Sequence, residues 1–257
     1  MRAVLALLAG VCALAAEALA GESSRDARRS GYDQMTPATR ALQDDDTANP
    51  GLLWLLDGEA LWREAPNAAA RSCAGCHGDA RDSMKGVAAR YPVLDTHRGT
   101  ALNLEGRINQ CRTERQASPA FAYDSKPLLA LTMWVAAPSK GQPIAIDGAR
   151  LKVEIEAGRR LFEMRQGQLN LSCAHCHEDN WGRKLAGSTI PQGHPTGYPQ
   201  YRLEWQGVGS LHRRLRNCLT GMRAENLDPG SAELTALEAY LMARAEGMAI
   251  ESPAVRP

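Results

Sequence analysis

The pentapeptide Cys-x-x-Cys-His occurs twice in the 257-residue chain, as Cys73-Ala74-Gly75-Cys76-His77 and as Cys173-Ala174-His175-Cys176-His177. No other feature limits the fold as strongly. The two thiols are spaced to add to the two vinyl groups of a haem, and the adjacent His can swing beneath the ring to ligate iron. A zinc site would need the two Cys pairs to converge on one ion, and a redox dithiol would need a βαβ setting. Two copies favour two covalently attached c-type haems, held by Cys73, Cys76, Cys173 and Cys176 with His77 and His177 as metal ligands.

The surroundings of the strings repeat as well. At an offset of 100, Gly58, Leu61 and Trp62 match Gly158, Leu161 and Phe162. Beyond the strings the offset is 107, pairing Tyr91-Pro92 with Tyr198-Pro199, Leu104 with Leu211, and Arg107-x-x-x-Cys111 with Arg214-x-x-x-Cys218. Near the end of each repeat it becomes 106, where Leu128, Ala130, Leu131, Trp134 and Val135 match Leu234, Ala236, Leu237, Tyr240 and Leu241. The second repeat therefore carries an extra loop of seven residues just after its string.

Each repeat reads as a mostly helical unit with extensive loops. Asn49-Pro50 suits a helix start, and Leu52, Leu53, Leu56, Ala60 and Leu61 follow at helical spacing. Residues 151–164 form the matching helix, and apolar-periodic helices over 126–136 and 232–243 close the two units. A helix before the string and an aromatic-bearing helix at the end match the cytochrome c arrangement, in which those two helices cross and the haem fills the core. Gly58 and Gly158 would permit a close crossing, with Trp134 and Tyr240 packed there. The predicted fold is mostly α, with two tandem cytochrome c-like domains related by internal duplication.

Residues 1–20 read as an export signal. Arg2 is followed by an apolar run and by Ala18-Leu19-Ala20, with cleavage expected near Ala20. Cys12 leaves with it, so six cysteines remain. No later run is long enough to span a bilayer. Lys and Arg number 30 against 29 Asp and Glu, which leaves no global charge suited to nucleic acid or an anionic membrane. The domain reading is 1–20 signal, 21–137 first domain, 138–150 linker rich in Pro, Gly and Lys, and 151–257 second domain.

The iron ligand opposite each His is open to several residues. The first domain offers Met84, Met133 and His97, and the second Met222, His194 and His212. Cys111 and Cys218 are the two cysteines not used in attachment, and they occupy equivalent positions. A single disulfide between them would need their Cα atoms within about 7 Å across a domain interface. Two His/Cys-ligated haems fit the repeat better, and thiolate would stabilise ferric iron and lower the potential. The segment Leu211-His212-Arg213-Arg214-Leu215-Arg216-Asn217-Cys218 places Arg214 one helical turn before Cys218, on its face. Its guanidinium could hold a small oxyanion by paired hydrogen bonds, or meet a haem propionate. For Arg213 and Arg216, a solvated face or propionates is the simpler reading.

The two strings, a later Cys for each, the Tyr198-Pro199-x-Tyr201-Arg202-x-x-Trp205-Gln206 stretch and the Arg214-x-x-x-Cys218 segment together resemble the SoxA family. These are the dihaem subunits of the SoxAX cytochromes of bacterial sulfur oxidation, and the resemblance covers nearly the whole mature chain. It implies a periplasmic L-cysteine S-thiosulfotransferase that joins thiosulfate oxidatively to a cysteine of the carrier SoxYZ. The electrons would pass through haem and the monohaem partner SoxX to a soluble cytochrome c. It further implies that Cys218 ligates the second haem and can carry an extra sulfur as a persulfide, and that Arg214 binds substrate. His77 and Cys111 would ligate the first haem, which some family members lack. A passive dihaem electron carrier, a dihaem thiosulfate dehydrogenase releasing tetrathionate and a dihaem peroxidase are the other functions weighed. Thiolate ligation at both haems counts against the peroxidase.

Overall fold

Two crossed helix pairs organise the molecule, one in each repeat. The computed structural model describes residues 27–257; the predicted export signal, with Cys12, lies outside the described residues. The helices are α1 (Pro37–Asp44), α2 (Leu52–Arg63), α3 (Cys73–His77), α4 (Ala80–Ser83), α5 (Leu104–Arg115), α6 (Lys126–Ala136), α7 (Lys152–Glu163), α8 (Cys173–His177), α9 (Leu211–Gly221) and α10 (Ala232–Arg244). Short strands lie among them: β1 (Val93–Asp95), β2 (Thr100–Leu102), β3 (Lys184–Leu185), β4 (Ser188–Thr189), β5 (Gln200–Arg202), β6 (Gly207–Gly209) and β7 (Ala254–Arg256). The protein is mostly α and builds one arrangement twice.

Helix α2 packs on α6, and α7 packs on α10. Glycine makes both crossings possible. A Cβ on Gly58 would collide with the Ala130 carbonyl and come within 2.7 Å of Trp134 Cβ. On Gly158 it would meet the Ala236 carbonyl and lie 2.8 Å from Tyr240 Cβ. Only a residue without a Cβ lets the two backbones approach this closely.

Helix α2 starts later than the sequence suggests. Its N-cap is Gly51, and Asn49 shapes the turn before it by accepting a hydrogen bond from the Gly51 N–H at 2.8 Å. Asn49 is buried, and its amide donates to the Pro253 carbonyl at 3.0 Å. A contact from the far end of the chain thus fixes a residue that local pattern reads as a cap.

Helix α6 is buried along its whole length from Leu128 to Ala136. One side meets α2, while Leu129 and Met133 pack against Val208 of β6 in the other repeat. Apolar residues all round a helix mark it as shared core.

The strand pairs keep the sequence offset. Val93 lies opposite Leu102 in the first repeat and Gln200 opposite Gly209 in the second, each 107 residues on. In the second repeat alone, β7 adds to β5 in parallel, so the chain's last residues complete a three-stranded sheet.

The connecting segment is packed rather than loose. Ile144 and Ile146 are buried with Leu151, Met242 and Ile250, and Leu94 and Ala101 of the first repeat pack on this cluster. The Ala145 N–H donates to the Ala89 carbonyl and that of Ile144 to the Met248 carbonyl, both at 2.9 Å. Each buried Ile contributes about 2–3 kcal/mol at most. The seam therefore docks the two repeats instead of letting them swing.

Candidate active site

Each repeat encloses a cavity between its crossed helices and the helix that carries its last cysteine. The first is lined by Trp62, Cys73, His77, Cys111 and Leu131, among others. The second is lined by Phe162, Cys173, His177, Arg214, Cys218 and Leu237, among others. Both have mainly apolar walls with a few convergent polar groups, as cofactor sites do. Cys76 and Cys176 stand outside the two linings. All six cysteines of the described residues are free thiols, and Cys111 and Cys218 sit in separate cavities, so no disulfide joins them.

The strings form short helices for a local reason. Ser72 and Ser172 each cap one, accepting from the N–H groups of Gly75 and His175. The cap turns the chain so that the first Cys and the His of each string reach the same cavity.

His177 is held more firmly than His77. Its Nδ1 lies 2.7 Å from the Pro191 carbonyl, which can only accept, so Nδ1 carries the proton. Nε2 is left with its lone pair free to ligate, the arrangement that sets a metal-binding imidazole. Burial pushes the His177 pKa down, against the pull of the Pro191 carbonyl, and so favours the neutral ring that ligation needs. Gly193 packs against the same ring at φ +79°, where a Cβ would lie 3.3 Å from His177 Cγ. Pro191 and Gly193 belong to the longer loop of the second repeat. His77 is exposed and makes no matching carbonyl contact.

Arg214 and Cys218 share one face of α9, four residues apart, and both line the second cavity. Helix α9 is capped by Ser210, whose oxygen accepts from the Arg213 N–H at 3.0 Å and whose hydroxyl donates to Asp124 at 2.5 Å. Asp124 comes from the first repeat, so one repeat anchors the site helix of the other. Arg213 instead stacks on Trp205, 4.4 Å from the ring centre, and neither Arg213 nor Arg216 lines either of these two cavities. In the first repeat, burial pushes the Cys111 thiol pKa up, with Arg107 and Arg115 working against it.

The other residues weighed as iron ligands divide. Met84 lines the first cavity, and Met222 and His194 line the second. Met133 is spent in the shared core, His97 lies exposed on the β1–β2 turn, and His212 faces Glu238 in the seam. Sequence reasoning left Arg202 and Arg256 without a role, yet both line the second cavity. Arg202 stood inside a noted stretch, whereas nothing local marked Arg256.

This architecture, with a Cys-x-x-Cys-His helix set into an apolar cavity under a crossed helix pair, defines a tandem c-type cytochrome. The family model of the SoxA/TsdA cytochrome c domain matches residues 57–144 and 157–250. The chain belongs to the SoxA/TsdA cytochrome c family, and its domains are of the haem c-binding kind. Curated relatives include the L-cysteine S-thiosulfotransferase subunit SoxA of Pseudaminobacter salicylatoxidans, 39% identical over 85% of this chain and 77% of that protein. The protein of the same description from Rhodovulum sulfidophilum is 36% identical over 90% of this chain and 81% of its own length. Among solved structures, that of SoxXA from P. pantotrophus superposes with a TM-score of 0.85 at 32% identity, covering 90% of this chain and 87% of the other.

Proposed function

We propose that the chain is the SoxA subunit of a periplasmic L-cysteine S-thiosulfotransferase. It would carry two c-type haems, one per cavity, attached through Cys73 and Cys76 and through Cys173 and Cys176. His77 and Cys111 would ligate the first iron, and His177 and Cys218 the second. The observation that carries this reading is the convergence of His177, Arg214 and Cys218 on one cavity. The donor set fits the group: a neutral imidazole with a free lone pair on one element, a thiol on another, and an apolar wall between them.

Arg214 binds the sulfonate oxygens of thiosulfate through its paired N–H donors and turns the outer sulfur toward Cys218. Cys218 Sγ then bonds to that sulfur, giving Cys218–S–S–SO₃⁻ with the loss of two electrons. A haem held here by Cys173, Cys176 and His177 would supply a one-electron acceptor, so the two electrons would leave one at a time through the SoxX partner to two equivalents of a soluble cytochrome c. The thiolate of the SoxYZ cysteine attacks the outer sulfur, the bond to Cys218 breaks, and the Cys218 thiolate is regenerated.

Supporting context comes from the relatives' description and from the SoxXA assembly of P. pantotrophus. Export agrees with the sequence signal, and no helix among the described residues is long and apolar enough to cross a membrane. Replacing Cys218 with Ala in the haem-loaded chain should abolish transfer of thiosulfate to the carrier cysteine while both haems stay attached. Retained transfer would overturn the proposal. The family model also embraces the TsdA type, and tetrathionate formed without any carrier protein would mark the chain as a thiosulfate dehydrogenase instead.

A further inference from the structure

Arg214 does not face the second cavity alone. Arg202, at the end of β5, lines it too, and its side chain is only 12% exposed. The strand fixes Arg202 through pairing with β6 on one side and β7 on the other. Its guanidinium also lies over the Trp205 ring, 5.2 Å from the centre. Two guanidinium groups held this close repel each other, so the site calls for an anion between them.

One carboxylate already serves. Oε1 of Glu204 lies 2.7 Å from Arg202 Nε and 3.7 Å from Arg214 Nη1, a single oxygen addressed by both arginines. Glu204 itself is not among the cavity's lining residues and remains 47% exposed, so it has room to move away into solvent.

The first repeat lacks this device. By strand register, Asp95 is the counterpart of Arg202: each ends its strand, opposite Thr100 and Gly207 respectively. Arg107, the counterpart of Arg214, faces that acidic residue and donates to Gln110 at 2.5 Å. The first cavity has arginines of its own, Arg90, Arg107 and Arg112, but the register position of Arg202 is filled there by Asp95, and in the second cavity the third lining guanidinium, Arg256, is taken up by Gln43 and Glu251.

We propose that Arg202 and Arg214 form a two-guanidinium seat for the sulfonate end of thiosulfate, and that the Glu204 carboxylate occupies this seat until the substrate displaces it. Glu204 is then a specificity-determining residue. A dianion outcompetes it by engaging both forks at once, whereas a monoanion of the same size gains less over the resident carboxylate. The inference rests on the reading that thiosulfate is processed in this cavity.

The test uses the haem-loaded chain with its SoxX partner and two probes, thiosulfate in turnover and unreactive sulfate in calorimetric binding. Glu204→Gln should tighten sulfate binding and lower KM for thiosulfate by about two- to fivefold, the size expected for losing a half-exposed competitor, and the gain should shrink at high salt. Arg202→Gln should weaken both by roughly tenfold or more, and Arg202→Lys, which keeps the charge and the strand but not the fork, should recover only part. In the Arg202→Gln background the gain from Glu204→Gln should largely vanish. Unchanged or weaker sulfate binding in Glu204→Gln would overturn the proposal. So would an Arg202→Gln variant whose haem spectrum shifts while its sulfate affinity holds, which would assign Arg202 to a haem carboxylate. Sulfate binding that follows the expected pattern without thiosulfate transfer would leave the seat standing and refute the transferase reading.

Discussion

Nε2 of His212 lies 3.0 Å from Oε2 of Glu238, inside the seam between the two repeats. Glu105 of α5 is buried beside this pair, Asp124 and Tyr123 border it, and the Tyr123 ring stacks on His212 at 6.3 Å. Asn103 donates to Glu238 at 3.4 Å, and the Gly230 N–H donates to His212 Nδ1 at 2.9 Å. Burial, with Glu238 adding repulsion, raises the Glu105 pKa to about 7. The carboxylates around His212 raise its pKa despite burial.

A pH dependence follows from that cluster. A carboxyl whose folded pKa is raised contributes stability that is fully present below its unfolded value and lost as pH rises through the folded one. Thermal stability should fall between about pH 5 and pH 7.5, by up to a few kcal/mol for the Glu105 part. Glu105→Gln, a neutral mimic of the protonated acid, should flatten much of this slope. Melting curves of both proteins across that range check it, and parallel slopes would count against the assignment.

The two glycine crossings should tolerate no side chain. In Gly158→Ala the new methyl must displace the Ala236 carbonyl or Tyr240, and both belong to α10 in the core. Overpacking of this kind costs about 1–3 kcal/mol, and the backbone contact puts this case at the upper end. For a chain of this size each kcal/mol lowers the melting temperature by roughly 2–4 °C. Gly58→Ala should behave alike, whereas Gly221→Ala, where a Cβ would meet nothing within 4 Å, should not.

Much of this was legible in the sequence, and the reasons are local. The strings, the glycine–aromatic crossings and the Arg214–Cys218 spacing are patterns within a few residues or exact repeats, and helical geometry turns them directly into positions. Arg202 beside Glu204 and Arg214 needed strand register and a helix start to bring three residues together. The Pro191 carbonyl that orients His177 is a backbone group and leaves no mark in residue identity. Asn49, read as a helix cap, was claimed by Pro253, and Ile144 and Ile146 were hidden in a stretch whose Pro and Gly suggested a loose linker.

The arginines of α9 should separate cleanly in kinetics. Arg214 lines the cavity, so Arg214→Ala should reduce kcat/KM for thiosulfate by roughly tenfold to a hundredfold, as expected for a lost charge-assisted pair of hydrogen bonds. Arg213 stacks on Trp205 and contributes to the cap only through its backbone N–H. Arg213→Ala should change kcat/KM by less than about threefold, with the loss falling on stability through the cation–π contact. Steady-state rates of the two variants at one ionic strength decide the matter, and similar losses in both would show that the run acts as a general positive field.

Asp124 offers a test of whether one repeat steadies the helix that carries Arg214 and Cys218 in the other. It has a left-handed backbone, φ +59°, and accepts the Ser210 hydroxyl at the start of α9. Asp124→Ala removes the acceptor, leaves the buried Ser210 hydroxyl unpaired and places Ala in a conformation it disfavours. The combined cost should be about 2–4 kcal/mol. Asp124→Asn keeps a short polar side chain that tolerates this backbone and can still accept, so it should recover most of the loss. Hydrogen exchange at the α9 amides gives a local reading beside the melting temperature. Faster exchange over 211–215 in Asp124→Ala, but not in Asp124→Asn, is the expected result. If exchange rises only within the first repeat, Asp124 steadies its own loop, and α9 holds the Arg214–Cys218 face without help from across the seam.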